Sequence, residues 1–264
     1  MEKPPPAIRY EARDGVAHVT LSQPARMNAM TLDMWRSLPA ALARADANPT
    51  IRVIALAGEG DRAFCAGADI SEFGERRTGE AAVAAYGEAV EAANLALAAA
   101  AKPTVALIRG ICFGGGFGLA MMCDLRLAAA DARFRIPAAR LGLGYDARSI
   151  GQLVARIGMA GVADLLLSAR ILDAADALRY GILNLAWAPE DFGREAASYV
   201  GAMAGNAPLT LQAVKRTLRE LTLPETERDM AAAEALVGLC FASEDYKEGQ
   251  QAFLEKRLPV FRGK

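Results

Sequence analysis

The chain has one histidine in 264 residues. His18 lies in VAHVTL, which reads as a strand, and it reads as a strand-face side chain. With no second histidine and no GxSxG, a Ser-His-Asp or Cys-His nucleophile is not expected. No HExxH or other metal-ligand spacing occurs, so no metal site is expected. Cysteine is scarce as well. Cys65, Cys112, Cys123 and Cys240 show no metal spacing and read as reduced core residues of a cytoplasmic protein. Charge of one sign is not in excess: 30 Lys and Arg stand against 31 Asp and Glu, which leaves no electrostatic footprint for nucleic acid or an anionic membrane. The opening MEKPPPA has no signal-peptide apolar segment. The apolar stretch around Ala92 to Ala101, closed by Glu91 and Lys102, is far short of the roughly 20 residues of a membrane span.

What is present is a large apolar complement. Hydrophobic residues make up 53% of the chain and charged residues 23%, enough to bury a substantial core. The runs at 16–21, 51–58, 103–110 and 124–130 read as strands. Between them, residues 31–48 and 79–101 carry helical patterns, the first opened by Thr31 as a possible N-cap. After Asp146 the chain turns mostly helical. The expected fold class is α/β, with a core over residues 1–200 and a C-terminal helical region over 201–264.

Residues 114–118 read GGGFG, four glycines in five positions, directly after the strand PTVALIRG. They form no dinucleotide fingerprint, because the sixth position lacks its glycine, and no P-loop, because no Lys-Ser/Thr follows. A helix starting near Gly115 presents amide hydrogens that have no intrahelical acceptor. Glycines let a ligand oxygen reach those amides, while tight strand–helix packing is the alternative reading. FCAGADI, at residues 64–70, offers a second glycine-containing turn. Donors from the two loops are able to converge on one carbonyl oxygen, as a thioester enolate requires.

FCAGADI, RGICFGGGFGLAMMCDLRLAA, ARFRIPAARLGLG, FLEKRLPVF and the early LSQPARMNAM together resemble the crotonase (enoyl-CoA hydratase/isomerase) superfamily, in order along essentially the whole chain. The resemblance implies a spiral of ββα units with a C-terminal helical trimerisation region, assembled as a homotrimer or as a hexamer of two trimers. It implies an acyl-CoA thioester substrate, with coenzyme A as part of the substrate and no separate cofactor. It assigns the oxyanion hole to the backbone N–H groups of Ala68 and Gly115. Ala66 would offer its carbonyl to the adenine, near Asp69 and Ile70. Arg26 resembles a CoA-phosphate contact, and Phe253 and Lys256 resemble a pair reaching the nucleotide, often of a neighbouring subunit. Arg26 and Lys256 also read as ordinary surface cations. Ser71 stands where the family often has lysine.

The chain departs from the hydratases at both of their acid–base glutamates, whose positions are Gly118 and Ala138. Asp146 falls where dienoyl-CoA isomerases carry a catalytic aspartate, and where 4-chlorobenzoyl-CoA dehalogenase carries its nucleophile. Tyr145 falls where decarboxylase-type members have a tyrosine. A carboxylate in an apolar pocket would have a raised pKa suited to proton transfer. The alternative for Asp146 is a helix N-cap, and for Tyr145 a pocket wall without chemistry. Glu72 and Glu75 read as solvated charges. Hydration or double-bond isomerisation is the expected activity; decarboxylation of a carboxyacyl-CoA and non-catalytic thioester binding are the alternatives.

Overall fold

The computed structural model describes residues 5–72 and 79–264. Glu75 lies outside the described residues. The apolar runs expected as strands are β2 (Val16–Ser22), β3 (Val53–Gly58), β5 (Thr104–Ile108) and β7 (Leu125–Ala129). VIALAG and TVALI are apolar almost throughout because parallel strands at the centre of a sheet are covered on both faces. With β1 (Ala7–Arg13) and β9 (Leu185–Trp187) they form a six-stranded sheet of order β1-β2-β3-β5-β7-β9, parallel except for the β1–β2 hairpin. Asp14 and Gly15 turn that hairpin with positive φ at both positions.

Three short strands, β4 (Ala63–Cys65), β6 (Ile111–Phe113) and β8 (Arg133–Arg135), make a second, parallel sheet. Each turn of the chain gives one strand to each sheet and then a helix: β3 and β4 precede α2 (Glu80–Ala99), β5 and β6 precede α3 (Gly115–Met122), and β7 and β8 precede α4 (Ala147–Ala163). The ββα spiral expected from the resemblance is therefore the fold. Before it, α1 (Leu32–Ala47) packs on the core through Trp35, Leu38 and Leu42. Its N-terminus is capped by Thr31, whose hydroxyl accepts from the Met34 N–H at 3.2 Å.

The remaining helices are α5 (Ala174–Arg179), α6 (Phe192–Ala204), α7 (Pro208–Leu221), α8 (Met230–Ala242) and α9 (Glu244–Glu255). Helix α6 buries Phe192, Ala196 and Val200 against Val53, Val105 and Leu127 of the large sheet, forming a second core. Helix α7 is tied to the spiral by Lys215, whose buried ammonium donates to the Lys102 carbonyl at 2.8 Å and pairs with Asp124 at 2.8 Å. Helices α7 to α9 expose Val214, Leu218, Phe241, Phe253 and Leu254.

The expectation about membrane-length segments needs one amendment. The helical run Ala147–Ser168 is long and apolar enough to cross a membrane by length and composition. Its helix is interrupted at Gly158, where φ is +71°. It also carries Arg148 and Arg156, and its buried residues Leu153, Ile157 and Gly161 lie at the i, i+4, i+8 spacing of one face packed on the core.

Candidate active site

The glycine run is read first from what its backbone touches. A β-carbon on Gly116 would lie 2.5 Å from the Cys65 carbonyl oxygen and 2.5 Å from the Cys65 β-carbon. That glycine serves close packing of α3 on β4. Gly114, with φ +51° and ψ −120°, makes the turn from β6 into α3. Gly115 and Gly118 differ from both. A β-carbon on Gly115 would lie 3.9 Å from the Ala68 nitrogen, and one on Gly67 would lie 3.4 Å from the Gly115 nitrogen. A β-carbon on Gly118 would meet nothing within 4 Å. The Ala68 and Gly115 amides thus flank one small space, and α3 leaves open space one turn further on.

The Ala68 loop is held by Met30. The Met30 N–H donates to the Gly67 carbonyl at 2.7 Å, and the Met30 carbonyl accepts from the Asp69 N–H at 2.9 Å. This parallel bridge consumes the polar groups on either side of Ala68 and leaves its N–H out. The Gly115 N–H is the first of a helix and has no intrahelical acceptor. Among the described residues neither amide donates a hydrogen bond. Behind them, Trp35 packs its ring 3.1 Å from the Gly115 β-position and donates its indole N–H to the Tyr86 hydroxyl at 2.9 Å. The Tyr86 hydroxyl lies 3.4 Å from the Met30 carbonyl as donor. The Gly67 N–H donates to the Cys65 sulfur at 3.3 Å, and burial pushes the Cys65 thiol up to about 12, so it stays neutral. Met30, Trp35 and Tyr86 hold the Ala68 loop and pack behind the start of α3, and sequence reading missed all three.

Of the binding residues implied by resemblance, Arg26 and Asp69 are brought together from two loops, and Phe253 and Lys256 lie on or just past α9. Asp69 is buried and collects Gln23 at 3.1 Å, Arg26 at 3.1 Å, and both the N–H and hydroxyl of Ser71. These hydrogen bonds and the Arg26 charge outweigh burial and hold its carboxyl below the usual range. Arg26 is therefore half-tethered, with its side chain 53% exposed. The Ala66 N–H donates to Met27, and its carbonyl accepts no hydrogen bond among the described residues. Ile70 is exposed. Phe253, on α9, and Lys256, just past its end, are exposed as well.

Ala138 is buried at the start of a short 3-10 turn, so neither it nor Gly118 brings a proton-transferring group. The raised pKa expected for a catalytic Asp146 is not found. Asp146 is exposed and caps α4, its Oδ1 accepting from the Ser149 N–H at 2.8 Å. Hydrogen bonds from the helix N-terminus hold the carboxyl below its usual value. Tyr145 is partly buried against the core, and burial around its hydroxyl pushes it up to about 12, with the Asp146 charge adding to the effect. Glu72 is no free solvated charge either: its carboxylate accepts from the Leu32 N–H at 2.8 Å, at the start of α1.

The family model for enoyl-CoA hydratase/isomerase matches residues 11–264. The chain is 31% identical to a crotonyl-CoA hydratase of Syntrophomonas wolfei, covering 97% of this chain and 98% of the relative. It is 32% identical to the (E)-benzylidenesuccinyl-CoA hydratase of Thauera aromatica, over 97% and 99%. The crystal structure of an enoyl-CoA hydratase/carnithine racemase from Magnetospirillum magneticum superposes with a TM-score of 0.91 at 33% identity, covering 97% and 96%. This ββα spiral therefore belongs, over nearly its whole length, to an enzyme of the enoyl-CoA hydratase/isomerase family.

Proposed function

We propose that this enzyme processes an acyl-CoA by placing the thioester carbonyl between the Ala68 and Gly115 amides and stabilising the enolate that forms on that oxygen. The observation that carries the reading is the pair of N–H groups, neither with an acceptor among the described residues, whose nitrogens border the same small space. As negative charge grows on the oxygen, both amides donate to it without reorganising, and removing one such donor typically costs about 100- to 1000-fold in rate. Hydration or double-bond isomerisation is the leading reaction, in line with the hydratases among its relatives. In that reading Asp146, ionised at neutral pH, takes the proton. The assembly is a homotrimer or a hexamer of two trimers, built on the apolar groove of Val214, Leu218, Val237 and Phe241 between α7 and α8, with Phe253 and Lys256 reaching a neighbour's nucleotide.

Decarboxylation of a carboxyacyl-CoA is the second reading. Loss of carbon dioxide delivers the same enolate with no carboxylate base, which suits the glycine and alanine at positions 118 and 138. Tyr145, neutral well past physiological pH, remains a hydrogen-bond donor to the departing carboxylate. Mass spectrometry of enoyl-, dienoyl- and carboxyacyl-CoA thioesters incubated with the protein in heavy water separates the cases. Water addition marks a hydratase, deuterium uptake with a moved double bond an isomerase, and loss of carbon dioxide a decarboxylase. Binding without any change in the panel marks a thioester-binding protein and overturns both enzymatic readings for these substrates.

A further inference from the structure

Side chains of β2 alternate between two faces. Ala17, Val19 and Leu21 join the core on which Ala68 packs, while Val16 and His18 point to the face covered by α6. Along that face, between β2 and α6, runs a groove of about 420 Å³. Its helical wall is Gly193, Ala196, Ala197, Val200 and Gly201, at the i, i+3, i+4, i+7, i+8 spacing of one face. All but Val200 are glycine or alanine, which leaves the groove open. Val16, His18 and Leu107 line it from the sheet.

The two ends differ in charge. At the β1–β2 hairpin, Arg13 and Asp14 offset each other. At the start of α6, Arg109 lines the groove and pairs with no carboxylate among the described residues. Its guanidinium is held on two sides: Nη1 donates to the Pro189 carbonyl at 3.2 Å, and the group lies 4.8 Å from the centre of the Phe192 ring. Nε and Nη2 donate to nothing among the described residues. A β-carbon on Gly193 would lie 3.3 Å from Nη2, so glycine keeps that edge uncovered. A fixed guanidinium with a free edge matches the two oxygens of a carboxylate. From Gly193 to Gly201 the helix advances about 12 Å. An extended hydrocarbon advances roughly 1.2 Å per bond, so about eight carbons fill most of that length.

We infer that this groove is a second ligand site, for a free carboxylate with an unbranched apolar chain of about eight carbons. The carboxylate sits on Arg109, and the chain runs along α6 past Leu107, Val16 and His18. The groove lies across the large sheet from Ala68, so the inference stands apart from the thioester reading.

His18 is the one histidine of the chain, so carbon-13-labelled histidine gives a single imidazole NMR signal that reports on the groove. The test is titration of the full chain with octanoate and with butyrate, each in the presence of excess butyryl-CoA to occupy the thioester site. Octanoate is expected to move the His18 signal saturably and to bind at least about tenfold tighter than butyrate, from the added apolar burial. Arg109→Lys keeps the charge and loses the fork, and is expected to weaken octanoate about tenfold or more. Ala197→Leu narrows the groove from an exposed position on α6 and is expected to abolish the advantage of octanoate over butyrate. The two variants change different elements, so one suffices if the other fails to fold. A His18 signal that octanoate leaves unmoved overturns the site, even where calorimetry detects octanoate binding elsewhere. Equal binding of octanoate and butyrate, or an advantage that survives Ala197→Leu, overturns the chain's path. Octanoate affinity unchanged in Arg109→Lys overturns the carboxylate contact.

Discussion

Met30 brackets Ala68: its N–H donates to the carbonyl before Ala68 and its carbonyl accepts from the N–H after it, at 2.7 and 2.9 Å. The residue between is left with an unused amide, and Tyr86 adds a third contact to the same Met30 carbonyl. The Trp35 indole depends on Tyr86 in turn. Tyr86→Phe leaves the buried Trp35 N–H without its acceptor and is expected to cost about 1–3 kcal/mol. Urea unfolding measures this. Turnover should fall as well, through a less fixed Ala68 loop, with the loss mainly in kcat rather than KM.

The two central glycines separate packing from chemistry. Gly116→Ala drives a methyl group into Cys65 backbone and β-carbon at 2.5 Å, so it is expected to destabilise the fold by about 3 kcal/mol. Gly115→Ala meets the edge of the Trp35 ring at 3.1 Å and reaches toward the Ala68 amide. It keeps the backbone N–H but places a methyl group in the space beside both amides, so it is expected to fold and to lose kcat by crowding out the carbonyl oxygen. Thermal unfolding and initial rates on the two variants distinguish them; a stable, fully active Gly115→Ala enzyme would show that the space beside the Gly115 β-position is not where the carbonyl oxygen sits.

Asp146 has a role in stability whatever its role in catalysis. Its folded-state pKa is lowered by the helix N-terminus. Such a group contributes stability that is present above its unfolded pKa, near 3.9, and is lost as pH falls through the folded value. Asp146→Ala should cost about 1 kcal/mol at neutral pH and less in acid. Asp146→Asn keeps a good cap and removes the carboxylate. Full activity in Asp146→Asn would release Asp146 from proton transfer, whereas lost activity with retained stability would establish it as the base.

Tyr145 should titrate late. Burial raises its hydroxyl to about 12, so subtracting the ultraviolet titration of Tyr145→Phe from that of the unaltered chain should show no tyrosinate from this residue below about pH 11. Ionisation near pH 10 would mean a solvated hydroxyl and would weaken its assignment as a buried donor in the decarboxylase reading.

How much of this was legible follows from the length over which each signal is written. β2, β3, β5 and β7 announce themselves as apolar runs, and Thr31 and Asp146 as caps. β4, β6 and β8 are three residues each, AFC, ICF and RFR, too short to show a period, although Phe64, Cys112 and Phe134 at their centres are fully buried. The two glycine loops were legible because backbone approach demands that residue type. The Trp35–Tyr86 bond joins positions 51 apart, and only the packed helices bring them together. Of the two readings the sequence leaves for Asp146, the structure shows the cap: the helix start leaves the carboxylate at the surface and lowers its pKa, where an apolar pocket would raise it.

Gly118 offers the sharpest test of whether a carboxylate at that position completes the proposed enolate site. A β-carbon there meets nothing within 4 Å, so Gly118→Glu has room. Replacing a glycine inside α3 should also stabilise the helix by about 0.5 kcal/mol, which thermal unfolding measures. If the enolate site is intact and only the acid–base group is lacking, the variant should gain hydration of a short enoyl-CoA over the unaltered enzyme. A stable Gly118→Glu protein with no gain on crotonyl-CoA would mean that the carboxylate at position 138 is needed too, and Ala138→Glu in that background is the variant to compare.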